Sequence, residues 1–391
     1  MPRDPATTAV RLHEPTFGTQ EIAAAIAVLQ STRVTQGARV RELEMRFWPK
    51  GHAVACNSGS SANLLAISAL KSIGWFKDGD EVIVSALSWS TTVWPLVQHG
   101  LVPVFVDCDP NTLNMDPNQV EAAIGPKTRA IMPVHVYGNP CDMDALTDIC
   151  GRRGLLLIED CCEALGATYK GRPVGSFGRV GTFSFYFSHH ITTLEGGIVV
   201  TPDSDTDDVL RIQRSHGWVR DVRDPSKYTE AHPDIDPRFL FVDLGYNLRM
   251  TELQAAIGLC QLPKLAPIVA HRRRMHALYR QKLNGVPGLT FQREQSDGES
   301  SCFGFNIVLD RNVRTALTRL LNIAGVETRP IICGNLVLQP AMRKHNFRVY
   351  GDLANATSVM HHGLSVGCHH DVTEEDVNHV CHVIQAALCG R

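Results

Sequence analysis

The spacing of apolar positions changes along the chain. Near the N-terminus, Ile22, Ala25, Ile26 and Leu29 recur at helical intervals and predict a helix over residues 21–29. From about Ala53, short β-rich runs at 81–84, 102–106, 130–134 and 155–158 alternate with helical segments. That rhythm predicts βαβ units and an α/β fold, with a mostly parallel sheet covered by helices on both faces. Functional residues are then expected at the carboxyl ends of strands. Residues 251–279 form a long helical stretch with breaks expected near Pro263 and Pro267. A run at 303–309 and a helix reaching Leu321 follow, and together they suggest a smaller α+β unit. The boundary is placed at Thr251, giving a large unit over 1–250 that includes the N-terminal helix, and a small C-terminal one over 251–391. Residues 219–236, rich in Asp, Pro and charge, read as an extended loop, and a loop of that length is more often functional or mobile than idle.

Composition narrows the function classes. The length of 391 residues suits two compact units, and 44% hydrophobic with 20% charged residues is ordinary for a soluble globular chain. A formal charge of -2 gives no general attraction to nucleic acid or acidic membrane, although local basic clusters can still bind phosphate. Residues 1–10 lack the apolar core of a secretory signal, and no uninterrupted apolar stretch long enough for a bilayer is evident, so the cytoplasm is the expected location. The twelve cysteines have no disulfide-scaffold spacing and no CxxC, which points to reduced thiols and no structural zinc. The pairs His361-His362 and His369-His370 invite a metal reading, but adjacent side chains diverge and no metal is expected. Arg272-Arg273-Arg274 reads as a solvated helix face.

Three segments carry candidate chemistry. Asn57-Ser58-Gly59-Ser60-Ser61-Ala62-Asn63 opens an apolar helix. Its small residues leave backbone N–H groups and hydroxyls free to face an anion, though a plain capped helix start fits equally. The strand at 155–158 leads into Glu159-Asp160-Cys161-Cys162-Glu163. A buried carboxylate there could keep a pyridine nitrogen protonated, although acidic residues are common at strand ends. The sharpest segment runs from Gly181 through Ser184, His189-His190-Ile191-Thr192 and Glu195-Gly196-Gly197.

That last run resembles the lysine-bearing segment of the DegT/DnrJ/EryC1/StrS aminotransferases, close to F-S-F-H-P-x-K-N-(L/I)-T-x-G-E-G-G, with His189 at the lysine position. Four further blocks resemble the family in the same order. They are Phe17-Gly18 through Phe47, Ser58-Gly59-Ser60, Glu159-Asp160 with Glu163, and Gly245-Tyr246-Asn247-Leu248-Arg249-Met250. Within the family, the histidine variant is similar to the sugar 3-dehydratases, and Thr328-Arg329-Pro330-Ile331-Ile332-Cys333-Gly334-Asn335 is similar to their R-P-I-x-x-G-N segment. A related branch carries an iron-sulfur cluster on cysteines in the region between Cys162 and Cys260. No cysteine lies there in this chain, so no cluster is expected.

The resemblance implies an aminotransferase fold of type I with a seven-stranded-type sheet, and pyridoxamine or pyridoxal 5'-phosphate as coenzyme. The implied activity is 3-dehydration of a nucleotide-linked 4-keto-6-deoxyhexose, GDP-4-keto-6-deoxy-D-mannose foremost, with glutamate as amino donor. His189 is the implied catalytic residue. Gly59, Ser60 and Ser184 are implied at the phosphate, Trp89 on the ring, Asp160 at the ring nitrogen and Glu163 near the ring's 3-oxygen. Asn247 is implied to reach the coenzyme of a second subunit, which makes the chain a homodimer with its sites at the interface. His216, Arg220 and Arg329 are candidates for the substrate. Trp89 also admits a core role and His190 a structural one. Two other activities stay open: an aminotransferase that recruits a distant lysine, and a catalytically silent member.

Overall fold

The computed structural model describes residues 10–390, so the reading of the N-terminal residues ahead of Val10 lies outside it. The main sheet has eight strands in the order His52–Cys56, Gly197–Thr201, Val180–Ser184, Leu156–Asp160, Thr128–Met132, Glu81–Ser85, Val102–Val106 and Arg348–Val349. From Val180–Ser184 to Arg348–Val349 every neighbour is parallel, whereas Gly197–Thr201 pairs antiparallel on both sides. Four of the parallel strands are buried over their last four residues, as expected when helices cover both faces.

A second, four-stranded antiparallel sheet orders Leu289–Phe291, Phe305–Leu309, Gly363–Val366 and Thr328–Arg329. Tyr279 stacks on Phe305 at 4.7 Å in the core beneath it. The chain laces the two sheets together. Val10 bridges Val326, and Arg348–Val349 returns from the C-terminal region to the edge of the main sheet, where Arg348 makes a paired contact with Glu81.

The N-terminal helix expected over 21–29 is present as Thr19–Ser31 and turns its apolar stripe outward: Ile22, Ile26 and Leu29 are 53%, 49% and 58% exposed, while Glu21 is buried. Glu21 is tied to Lys264 at 2.5 Å and to Gln261 at 2.8 Å, and these bonds overcome its burial to hold the carboxyl down to about 2. The long helical stretch breaks at Leu262–Lys264 but runs through Pro267. This proline falls in the first turn of Leu265–Leu283, where its missing N–H leaves no bond unmade. Taken together, Glu252–Leu283 is long and apolar enough to cross a membrane by length and composition alone, although charged residues interrupt it. Here its faces pack on Thr19–Ser31, Ala38–Phe47 and Glu374–Cys389.

Arg272 is not solvated. It is buried and donates to the carbonyls of Phe303 at 2.9 Å and Cys368 at 3.2 Å, and burial pulls it down to about 10. A polar core of this kind has no helical-period signature, because the partners are backbone carbonyls from remote segments.

Candidate active site

A cavity of about 310 Å³ opens at the carboxyl ends of the parallel strands. One end of it is built by the helix Gly59–Ser72. Ser58 caps that helix by accepting from Ser61 N at 3.0 Å, and the first intrahelical bond runs from Ala62 N to Ser58 O. The N–H groups of Gly59 and Ser60 are therefore left over at the positive end of the helix dipole. Glycine is required here: a Cβ on Gly59 would lie 2.5 Å from Ser184 Cβ, and one on Gly197 would lie 2.3 Å from Ser58 O. Ser184, Thr91 and Ser60 add hydroxyls to the same end, with Ser60 donating to Thr91 at 3.1 Å.

One helical turn further on, about 6 Å along the axis, Asn63 meets Asp160. The Asp160 carboxylate accepts from Asn63 Nδ2 at 2.9 Å, Thr92 Oγ1 at 2.7 Å and the Cys162 N–H at 3.0 Å. Glu159, its neighbour in the strand, points to the opposite face. It accepts the N–H groups of Gly175, Phe177 and Gly178, each at 2.7 Å. Glu159, His135 and Cys161 lie close enough together to suggest a metal, a grouping the sequence reading did not find. Both Glu159 oxygens already serve those three donors, so the cluster reads as a loop anchor.

Trp89 is half exposed on the cavity wall, at the start of the helix Ser90–Gln98. Glu163 lines the cavity and accepts from Tyr137 N at 2.9 Å; burial pushes its carboxyl up against the pull of Arg329. Arg329, brought in from the second sheet, has its guanidinium 5.7 Å from the Tyr137 ring and also borders a small niche with His13, Ser188 and Ser365.

His189 donates from Nδ1 to the Cys162 carbonyl at 2.6 Å, and this leaves Nε2 as the unshared nitrogen. Phe303 packs over the ring at 5.1 Å. Burial pulls His189 down to about 4. The Cys162 carbonyl and Asp160 oppose the shift, while Arg272 and Arg329 add to it. The imidazole is therefore neutral near pH 7 and holds a proton less readily than an unperturbed histidine. His190 is buried against Ser301 O at 3.0 Å. Among the described residues the cavity lining holds one arginine, Arg329, and no lysine.

The structure thus gathers Gly59, Ser60, Trp89, Asp160, Glu163, Ser184, His189 and Arg329 around one cavity. Asn247, His216 and Arg220 lie outside its lining. They group along a separate ribbon through the bridges Ser215 to Asn247 and Trp218 to Phe241, with Arg220 over Trp218 at 4.9 Å. Sequence reasoning missed the lining residues Thr91, Thr92, Tyr186 and Phe303. Thr92 was accessible from its position one helical turn after Trp89; Phe303 was not, since nothing local marks a residue that arrives from another sheet.

The donor set fits a phosphate-bearing pyridine. It offers free N–H groups with hydroxyls at one point, a buried carboxylate about one helical turn away and a half-exposed indole on the wall.

The DegT/DnrJ/EryC1/StrS aminotransferase family matches residues 15–385. GDP-4-keto-6-deoxy-D-mannose 3-dehydratase of Escherichia coli O55:H7 is 38% identical over 385 residues, covering 96% of this chain and 99% of that protein. A GDP-4-keto-6-deoxymannose-3-dehydratase variant solved with bound GDP-perosamine superposes with a TM-score of 0.92 at 38% identity, over 96% of this chain and 100% of that one. The same enzyme with a trapped PLP-glutamate geminal diamine gives 0.89 at 37% identity, over 95% and 99%.

Proposed function

Because this chain belongs to the DegT/DnrJ/EryC1/StrS aminotransferase family, we propose that it is a lyase of that fold, a 3-dehydratase dependent on pyridoxamine or pyridoxal 5'-phosphate. Its substrate is a nucleotide-linked 4-keto-6-deoxyhexose, GDP-4-keto-6-deoxy-D-mannose, and glutamate is the amino donor. The observation that carries the reading is His189, an imidazole of fixed tautomer in a cavity whose described lining has no lysine.

Gly59, Ser60 and Ser184 hold the phosphate, Asp160 pairs with the ring nitrogen, Trp89 stacks on the ring and Glu163 sits by the 3-oxygen. When bound, the coenzyme would supply an amine for the C4 ketone and an electron-poor ring to draw charge from it. The chain supplies the proton traffic. Nε2 of His189 takes a carbon-bound proton, and the imidazolium then delivers it to the departing C3 hydroxyl, which leaves as water. A lysine would also form a covalent link to the coenzyme; imidazole moves protons without one. Over a full cycle the sugar loses one oxygen, and glutamate becomes 2-oxoglutarate with release of ammonia. Arg329, the one arginine of the lining among the described residues, suits a substrate carboxylate or phosphate.

The proposal includes a homodimer in which Asn247, His216 and Arg220 serve the partner's cavity. It is supported by the outward stripe of the N-terminal helix and by Phe241 and Leu244, 51% and 89% exposed, on the same ribbon as Asn247. A cytoplasmic location is part of the same reading, supported by twelve free thiols.

The test is turnover of GDP-4-keto-6-deoxymannose with pyridoxamine phosphate and glutamate. Ammonia and a 3-deoxy sugar are expected. A stable 4-amino sugar rejects the dehydratase, and a pyridoxyl-lysine after borohydride reduction rejects the role of His189.

A further inference from the structure

At the cavity wall, a chain of buried polar groups ends on a single oxygen. Asp160 Oδ2 accepts from Thr92 Oγ1 at 2.7 Å and from Asn63 Nδ2 at 2.9 Å, and Asn63 Oδ1 in turn accepts from Thr182 Oγ1 at 2.6 Å. All four residues are buried. We infer that Thr182, Asn63 and Thr92 are positioning residues for the coenzyme's ring, acting through Asp160. The inference rests on the coenzyme reading above.

Donor and acceptor identities make the chain directional. An ionised carboxylate only accepts, so Asn63 must turn its NH2 toward Asp160 and its carbonyl toward Thr182. Thr182 must then donate, although the Glu159 carbonyl at 3.4 Å is an alternative acceptor for its hydroxyl. A hydroxyl outside the cavity lining thereby fixes which way the amide faces. Asp160 Oδ1 takes the Cys162 N–H, and the Cys162 carbonyl takes His189 Nδ1. Both carboxylate oxygens are thus held, and the plane of the group is set from three directions.

The connectivity also links the parts of the site. Asn63 lies one turn beyond Gly59 on the anion-binding helix, and Thr92 lies one turn beyond Trp89. The helix that cradles the phosphate and the helix that carries the stacking indole therefore meet on the same Asp160 oxygen. Their relative placement sets where a ring between them meets its counter-charge.

The test uses Thr182→Val, Thr92→Val, Thr92→Ser and Asn63→Asp in the full chain. Three quantities are read: pyridoxamine phosphate affinity by tryptophan fluorescence quenching, the pH titration of the bound coenzyme's absorbance, and the thermal midpoint without coenzyme. Removing either threonine hydroxyl is expected to weaken binding roughly tenfold or more and to move the absorbance titration, with the coenzyme-free midpoint little changed. Thr92→Ser, which keeps the donor, restores both readouts to within about twofold of wild type. Asn63→Asp, which faces one carboxylate with another, gives the largest loss. If the variants bind and titrate like wild type, or lose only thermal stability, the inference is overturned while the coenzyme reading stands. If wild type itself shows no saturable binding, the coenzyme reading fails and the inference with it.

Discussion

His189 and Asp160 are joined through one residue. The Cys162 N–H donates to Asp160 at 3.0 Å, and the Cys162 carbonyl accepts from His189 at 2.6 Å. The proposed base and the proposed counter-ion are thus set by the two ends of a short backbone segment just past the strand Leu156–Asp160. Any shift of that segment moves both groups, so the geometry of proton transfer is coupled to the seating of the ring.

The first consequence concerns the base. His189→Asn keeps a side chain of similar reach and removes the titrating nitrogen. Turnover is expected to fall by about 10²–10⁴, with pyridoxamine phosphate still binding. Single-turnover kinetics beside a binding isotherm check this; retention of activity within a factor of two would assign the proton transfer to another group.

The second concerns pH. His189 is held at about 4 in the folded chain, against an ordinary 6.5. Between those values the unfolded chain carries a proton that the folded chain does not. Stability therefore falls as pH drops through this window and is untouched by this residue above it. Urea midpoints measured from pH 7 to 4.5 should decline less steeply in His189→Asn than in wild type. Parallel curves would contradict the assignment. By the same cause, the acid limb of kcat/KM due to this group lies well below 6.5.

A third tests the cradle. In an exposed helix, Gly→Ala is stabilising by about 1 kcal/mol. At Gly59 the added methyl instead meets Ser184 Cβ at 2.5 Å. Gly59→Ala is expected to raise the dissociation constant for pyridoxamine phosphate at least about tenfold, since the anion end draws on helix-terminal N–H groups. Equilibrium dialysis decides it, and unchanged affinity would remove Gly59 from the phosphate site.

The fourth concerns assembly. Ile26→Asp places a charge in the middle of the exposed stripe Ile22, Ile26 and Leu29. Burying an unpaired carboxylate at an interface is strongly unfavourable, so sedimentation equilibrium should show the mass shift from dimer toward monomer, with the far-ultraviolet spectrum unchanged. A wild-type mass in the variant would place the contact elsewhere.

Much of the site was legible because its parts are local. Ser58-Gly59-Ser60 and the helix it opens, Asp160 at a strand end, and His189 with Glu195-Gly196-Gly197 each declare themselves within a few residues. The reading of an aminotransferase fold of type I holds, with an eighth strand, Arg348–Val349, that two residues of β character could not announce.

What the sequence by itself determined was the alternation of strands and helices and the chemistry offered at each strand end, because period and spacing act over one or two turns of chain. Tertiary structure alone decided which face of Thr19–Ser31 looks outward, why Arg272 is buried, which of Glu159 and Asp160 enters the cavity, and that Phe303 and Arg329 meet His189 there. Those outcomes rest on partners more than a hundred residues away in several cases, and hydrogen-bond satisfaction between distant segments leaves no periodic trace in either one.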